Sequence, residues 1–321
     1  MAPPNITEAL DNLYTTTLIE MKKELVDNIF SGTPFWEWLT KNGRIGTQVG
    51  GRKIEYSLEY GKNSTVTAVG RGTALAPADE ELFTSAMYEW RYVAGAVIRY
   101  GTDDQKNAGK AQIINLLTAK VENLKRSLID FMENILFQNQ AGDNPNGIVD
   151  LIAIDPTTGV IGGIDRATYT WWRNQTMAAT GPFSSNGISD MRKLFYTVMD
   201  GRPSDKPDGI LCDQTTFEAY EQEALDFAQQ VLGASKVDLS FETLYFKGVP
   251  MFYSPSAPSG TLYMMNSKYL KWVKDPRVDF EPTEWKPITN QINDRVMHII
   301  EAGNLVMSRA KCQGVLHNIT Y

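Results

Sequence analysis

Two cysteines, Cys212 and Cys312, and two histidines, His298 and His317, are all the thiols and imidazoles in the 321 residues. A three-His zinc site is therefore impossible, and cysteines so far apart read as reduced core residues, not as a redox pair or a disulfide framework. A nucleophilic triad would have to use one of the two histidines. His298 stands inside the apolar run 296–300, where a packed strand residue is expected, and His317 lies four residues from the end. Phosphate chemistry has no better footing. Gly109-Lys110-Ala111 lacks the earlier glycine and the following Ser or Thr of a phosphate loop, and Gly159-Val-Ile-Gly162-Gly163 lacks the glycine spacing of a dinucleotide turn. Asp143-Asn-Pro-Asn146-Gly147 lacks the acidic spacing of a calcium loop, and no Gly-x-Ser-x-Gly elbow occurs. No catalytic, cofactor-binding or metal site is expected. The aromatic run Tyr169-Thr170-Trp171-Trp172-Arg173-Asn174 could stack bases with Arg173 on a phosphate. No basic patch surrounds it, so packing in a core or a subunit interface is the expectation, since Trp and Arg are enriched at buried contacts.

Charge narrows the classes further. Lys plus Arg number 31 against 38 Asp plus Glu, a net −7, which argues against a surface built to grip phosphates by counterion release. The excess is local. Residues 200–245 hold ten acidic side chains (Asp200, Asp205, Asp208, Asp213, Glu218, Glu221, Glu223, Asp226, Asp238, Glu242) and three basic ones, and the rest of the chain balances at 28 against 28. Two readings stay open: a solvated helix face, or an exposed acidic edge that repels phosphates or slows association. At 42% hydrophobic and 21% charged, the composition is that of a folded protein of about two domains. No run approaches the ~18 apolar residues of a membrane span. Residues 1–8 carry neither a basic start nor an apolar core, so no secretory leader is expected.

The elements follow from periodicity. Leu10, Tyr14, Leu18, Met21, Leu25 and Ile29 make one apolar helical stripe. Thr33 and Pro34 open a short second helix with Phe35, Trp36, Trp38 and Leu39, closed by Gly43. Ile54, Tyr56, Leu58 and Tyr60 alternate with polar residues, and so do Tyr88, Trp90, Tyr92, Ala94, Ala96, Ile98 and Tyr100. Two strands with one buried face each are expected, the second about 13 residues long. The segment 61–81 between them is rich in Gly, Ser, Thr and Ala. So long a connection marks a functional loop, and the pair reads as an extended hairpin. A long helix follows, capped by Thr102 or Asp103, with a seam at Ile114, Leu117, Val121, Leu124, Leu128, Phe131 and Ile135. Residues 139–147 are turn chemistry and a domain boundary. A mixed α/β region and a β-rich end complete the chain.

This order of parts, with Gly162-Gly163-Ile164-Asp165-Arg166, Trp171-Trp172-Arg173-Asn174 and Met265-Asn266-Ser267-Lys268-Tyr269-Leu270, resembles the major capsid proteins of tailed bacteriophages. The resemblance implies an α+β, Hong Kong 97-like capsid fold. Its parts would be an N-terminal arm (1–45), an extended β-hairpin loop (46–101), a peripheral domain with a long spine helix (102–141), an α/β axial domain (142–259), and return strands to the peripheral domain (260–321). It implies a subunit that assembles as hexamers and pentamers into an icosahedral virion shell. That shell would form in the host cytoplasm around double-stranded DNA, enclosed without sequence-specific binding. Contacts between subunits would fall on Trp36 and Trp38 of the arm, Lys62 and Arg71 of the loop, and Trp171, Trp172 and Arg173. Some relatives carry a long cleavable scaffolding region before the arm. Only about 45 residues precede the first strand here, so a separate scaffolding protein or none is expected, beside portal and decoration proteins. An encapsulin-like shell with protein cargo and, from another class, a cytosolic α/β enzyme stay open.

Overall fold

The computed structural model describes residues 33–61, 63–72, 81–101, 110–140, 142–232, 244–291 and 293–321. The stripe 10–29, Lys62 and the capping candidates Thr102 and Asp103 lie outside the described residues.

The first element is helix α1 (Pro34–Lys41). Proline sits in its first turn, where its missing N–H costs nothing, and Gly43 ends it at φ +64°. Strand β1 (Ile45–Thr47) follows, then β2 (Ile54–Glu59), β3 (Phe83–Tyr88) and β4 (Arg91–Arg99). Helix α2 (Lys110–Leu136) and the four-residue α3 (Ile148–Leu151) lead to the small hairpin β5 (Val160–Ile161) and β6 (Ile164–Asp165). Then come β7 (Gln175–Ala178), α4 (Ile188–Val198), β8 (Gly209–Cys212), α5 (Gln214–Leu232), β9 (Leu244–Phe246), β10 (Val249–Tyr253) and β11 (Leu262–Met265). The chain closes with β12 (Leu270–Lys274), β13 (Glu281–Pro282), β14 (Lys286–Pro287), β15 (Arg295–Met307) and β16 (Gly314–His317).

Two six-stranded sheets organise these parts. The first is built on the 13-residue β15. Strand β4 pairs along one side of it, Arg99 opposite Arg295 through Arg91 opposite Gly303. On its other side β14, β13 and β12 follow one another, and β1 adds parallel to β12. The second sheet runs β7-β16-β11-β8-β10-β9. Every residue of β8 and of β11 is buried, as expected of strands covered on both faces. Segment 260–321 therefore divides. Strands β12 to β15 belong to the first sheet, but β11 and β16 pair with each other and, through β8 and β7, inside the second. The expected wholesale return of 260–321 to one domain gives way to this, because Leu262, Met264 and Leu316 pack into the core of the second sheet with Leu194 and Val198 of α4.

The extended hairpin differs from its sequence pattern in one instructive way. The partner of β2 is β3, with Ile54 opposite Tyr88 and Glu59 opposite Phe83; β4 has left for β15. The chain bends at 89–90, and the buried parity flips there. Ala86 and Tyr88 point inward in β3, whereas Val93, Val97 and Arg99 do so in β4. Tyr92 is 63% exposed and Tyr100 42%. Gly95 explains the flip, since a Cβ there would stand 2.4 Å from Leu124 Cδ1. The side of β4 that can admit α2 is the one with a gap in it. The α2 seam drifts as well. Val121, Leu128, Met132 and Ile135 are buried, while Phe131 is 42% exposed. A strict heptad slips about 20° per repeat around a straight helix, so by the third repeat Met132 has replaced Phe131 on the inner face. Among the described residues no helix is long and apolar enough to cross a membrane.

Candidate inter-subunit surface

The root of the hairpin is seated on its own chain. Met87 N–H donates to the Gly162 carbonyl at 2.8 Å, and Tyr88 Oη donates to the Met307 carbonyl at 2.7 Å. Burial pushes the Tyr88 phenol far above its usual range. The β5–β6 turn comes close because Gly162 has no side chain. It sits at φ +60°, and a Cβ would lie 3.0 Å from Ala86 Cβ and from the Tyr88 ring. Tyr60 stacks on Trp171 at 5.2 Å and 19°. Behind that stack Trp172 is buried and donates from Nε1 to the Ile161 carbonyl at 3.0 Å. Arg166, 2% exposed, donates to the Asp150 and Leu151 carbonyls, tying the turn to α3. Arg173 donates from Nε to the Arg166 carbonyl at 2.7 Å and from Nη2 to Ala167 at 2.9 Å. We predict that Gly162→Val lowers stability by about 1–3 kcal/mol, through overpacking and a disfavoured φ. Urea unfolding checks this, and a loss smaller than that of an exposed control such as Gly159→Val would contradict it.

The sequence-derived contact residues thus fall into three groups. Trp36, fully buried, and Trp38, 6% exposed, pack inside their own subunit. Trp36 meets Trp272 edge-on at 5.0 Å, and Trp38 Nε1 donates to the Asp208 carbonyl at 3.1 Å, with Phe252 beside its ring. Gly209 makes room for that indole, since a Cβ there would stand 2.5 Å from it. Both indoles are thus packed mainly inside their own subunit. Trp172 is spent inside in the same way. Trp171 and Arg173 remain partly exposed; Trp171 stacks on Tyr60 of the hairpin and Arg173 braces the chain at 166–167. Arg71 is exposed near the loop tip, while Lys62 lies outside the described residues.

Among the described residues, a series of exposed apolar side chains runs along the hairpin and β4, beside others such as Val160, Tyr196 and Tyr245 elsewhere. Val66 is 83% exposed, Val69 52%, Phe83 71% and Met87 45%. Tyr92, Ile98 and Tyr100 continue the series along β4. A cavity of about 340 Å³ opens at the hairpin root between Lys53, Glu89, Arg91, Asn146 and Asn304. Its charges are answered locally, Lys53 by Glu89 at 2.7 Å and Arg91 by Asp143 at 3.5 Å.

The acidic region also resolves into two parts. Asp205 is buried and held by Lys268 at 3.1 Å, Tyr269 Oη at 2.9 Å and Arg309 at 2.9 Å. Despite the cost of its burial, these bonds hold its carboxyl below the usual range. Asp208 accepts from Ser267, and Asp213 from Thr216 and Tyr321. Asp205 and Asp208 tie the β8 side of the second sheet to the segments 267–269 and 309 that flank strands of the first, while Asp213 is bonded within the second-sheet unit. Glu218 is exposed and Glu221 and Glu223 half-buried on α5.

No family model and no curated protein matches this chain. Solved structures do. The capsid protein of cyanophage A-1(L) superimposes at a TM-score of 0.58 and 14% identity, over 87% of this chain and 91% of that one. The capsid of the Myoviridae phage XM1 gives 0.57 at 9% identity, with the same coverage. An encapsulin complex from Synechococcus elongatus, SrpI, gives 0.53 at 14%, over 90% of this chain and 88% of that one. The chain thus has the fold class of shell-forming proteins. In particular it has the α+β, Hong Kong 97-like fold of tailed-phage capsid proteins.

Proposed function

We propose that this chain is the major subunit of a bacteriophage head. It assembles as hexamers and pentamers into an icosahedral shell, formed in the host cytoplasm, that encloses double-stranded DNA. The observation that carries the reading is the pairing of a shell-protein fold over nearly nine-tenths of the chain with apolar side chains stranded on the hairpin and β4. Exposed apolar side chains grouped on the hairpin and β4 suit a surface that a neighbouring subunit covers. One chain repeated through head-to-tail contacts closes into rings when the rotation allows. The mechanism is geometric. The hairpin root is fixed by Gly162 and the Tyr60–Trp171 stack, so its tip is delivered at a set angle to the adjoining subunit. Such work needs no catalytic group, and the net charge of −7 suits a wall that contains DNA without gripping it.

The encapsulin match supports a second reading, a protein-filled compartment. Particles recovered from phage-producing cells and treated with nuclease separate the two. Protected double-stranded DNA supports the head reading. Particles that carry only protein support the compartment, and a chain that yields no particles sinks both.

A further inference from the structure

Strand β4 has one edge paired to β15, and among the described residues no strand pairs with the other. In an antiparallel ladder alternate residues turn both N–H and C=O to the same edge. His298, opposite Ala96, turns both its N–H and C=O to Thr283 on the far side of β15, so even-numbered β4 residues face the open edge, where the Ile98 carbonyl accepts Lys120 Nζ at 3.0 Å. Residues of its parity, Tyr92, Ala94 and Ala96, therefore turn their N–H and C=O outward too. Helix α2 runs beside this open edge and leaves a groove of about 470 Å³, lined by Ala96, Ile98, Tyr100, Lys120, Asn123 and Leu124. An edge strand with a helix alongside and an apolar groove between them is the arrangement that takes an extended segment by strand addition. The lysine over Ile98 is the usual guard of such an edge.

The same chain carries a segment suited to that edge. Residues 65–69 read Thr-Val-Thr-Ala-Val, a β-prone composition, yet they lie in no strand. Their side chains are exposed at Val66 and Val69. Among the described residues neither the edge nor the segment pairs with a strand, and each offers what the other lacks. We propose that residues 65–69 of one copy add as a strand to the outer edge of β4 in a second copy, with alternate side chains entering the groove against Leu124. The inference rests on the shell reading and assigns the seat of the hairpin tip. The contact is heterologous, so its repetition propagates around a ring.

The test uses the full chain. Ala96→Pro removes one outward N–H, a change that edge strands tolerate. It is expected to melt at the wild-type temperature and to lose the particle peak in size-exclusion chromatography. Val66→Cys with Asn123→Cys, treated with a short bis-maleimide, is expected to give a ladder of covalent oligomers on a denaturing gel; the native Cys212 and Cys312 are buried. Wild-type particles that form equally well with Ala96→Pro, or a cross-link confined within one chain, would overturn the inference and leave the shell reading standing. Should Ala96→Pro melt early, the cysteine pair decides, and the absence of its oligomer ladder would overturn the inference. A wild-type chain that never associates would overturn both.

Discussion

Trp36→Ala is expected to destabilise the isolated chain by about 3–5 kcal/mol, the range for deleting a fully buried aromatic. The ring is 0% exposed and stands edge-on to Trp272 at 5.0 Å, with Phe35 at 5.5 Å. Nothing nearby can collapse into the space. Trp272 is pinned by Nε1–H to Glu301 Oε1 at 3.4 Å. Its ring already lies against the bare backbone of Gly303, where a Cβ would be 2.6 Å away. Helix α1 would lose its anchor on the first sheet, and Trp36→Phe should recover part of the loss. Urea unfolding of the unassembled chain measures this. A Trp36→Ala chain of unchanged stability that only fails to associate would restore this residue to a contact between subunits.

A second large effect is a fall in stability as pH rises from about 4.5 to 8, carried by Glu301. This carboxyl is fully buried in β15. It accepts from Trp272 Nε1 and from the Phe280 N–H at 3.2 Å. Burial, then the neighbouring Asp279 charge, raises its pKa to about 8, against the opposing pull of Lys274 and Trp272. Lys274 is committed to Asp279 Oδ2 at 2.6 Å, and Asp279 Oδ1 is buried with no donor other than the Glu301 proton. The folded chain therefore holds that proton to a higher pH than the unfolded chain, whose carboxyl has the ordinary value of 4.5. Below 4.5 both states are protonated and the group is neutral in the balance. Between 4.5 and 8 the unfolded state releases its proton first, so stability declines with rising pH, by at most about 1.4 kcal/mol per unit. Above 8 the slope ends. Glu301→Gln should flatten that window, as read from urea midpoints at pH 5, 6, 7 and 8. Parallel curves for the two chains would contradict the assignment.

Much of the architecture was legible in the sequence because its signals are local. Pro34 and Gly43 bracket α1, the two-residue alternation marks β2, and turn residues isolate the hairpin. Features set by distant partners were not legible. The apolar alternation of 88–100 runs unbroken, so nothing local announces that the chain changes sheets at 89–90. The inner face of β4 is chosen by Leu124 fitting over Gly95, a pairing across the sheet. Tryptophans read as sticky, and sticky residues suit interfaces and cores alike; only the bare backbones at Gly209 and Gly303, placed against Trp38 and Trp272, decide for the core. Gly162-Gly163 carries a resemblance in the sequence, but its physical role as the seat of the hairpin appears only with Ala86 and Tyr88 beside it. Within 200–245 the count took as one surface what the fold divides: Asp205, Asp208 and Asp213 are bonded inside, while Asp200 and Glu218 are exposed.

The central claim is that this chain builds a closed shell from copies of itself. Electron microscopy of the purified recombinant protein, negatively stained straight from the size-exclusion column, tests it most directly. Closed particles of uniform diameter, or rings of five and six subunits, are the predicted result. A single small oligomer that stays the same across concentration and salt, with neither rings nor shells, would contradict the claim.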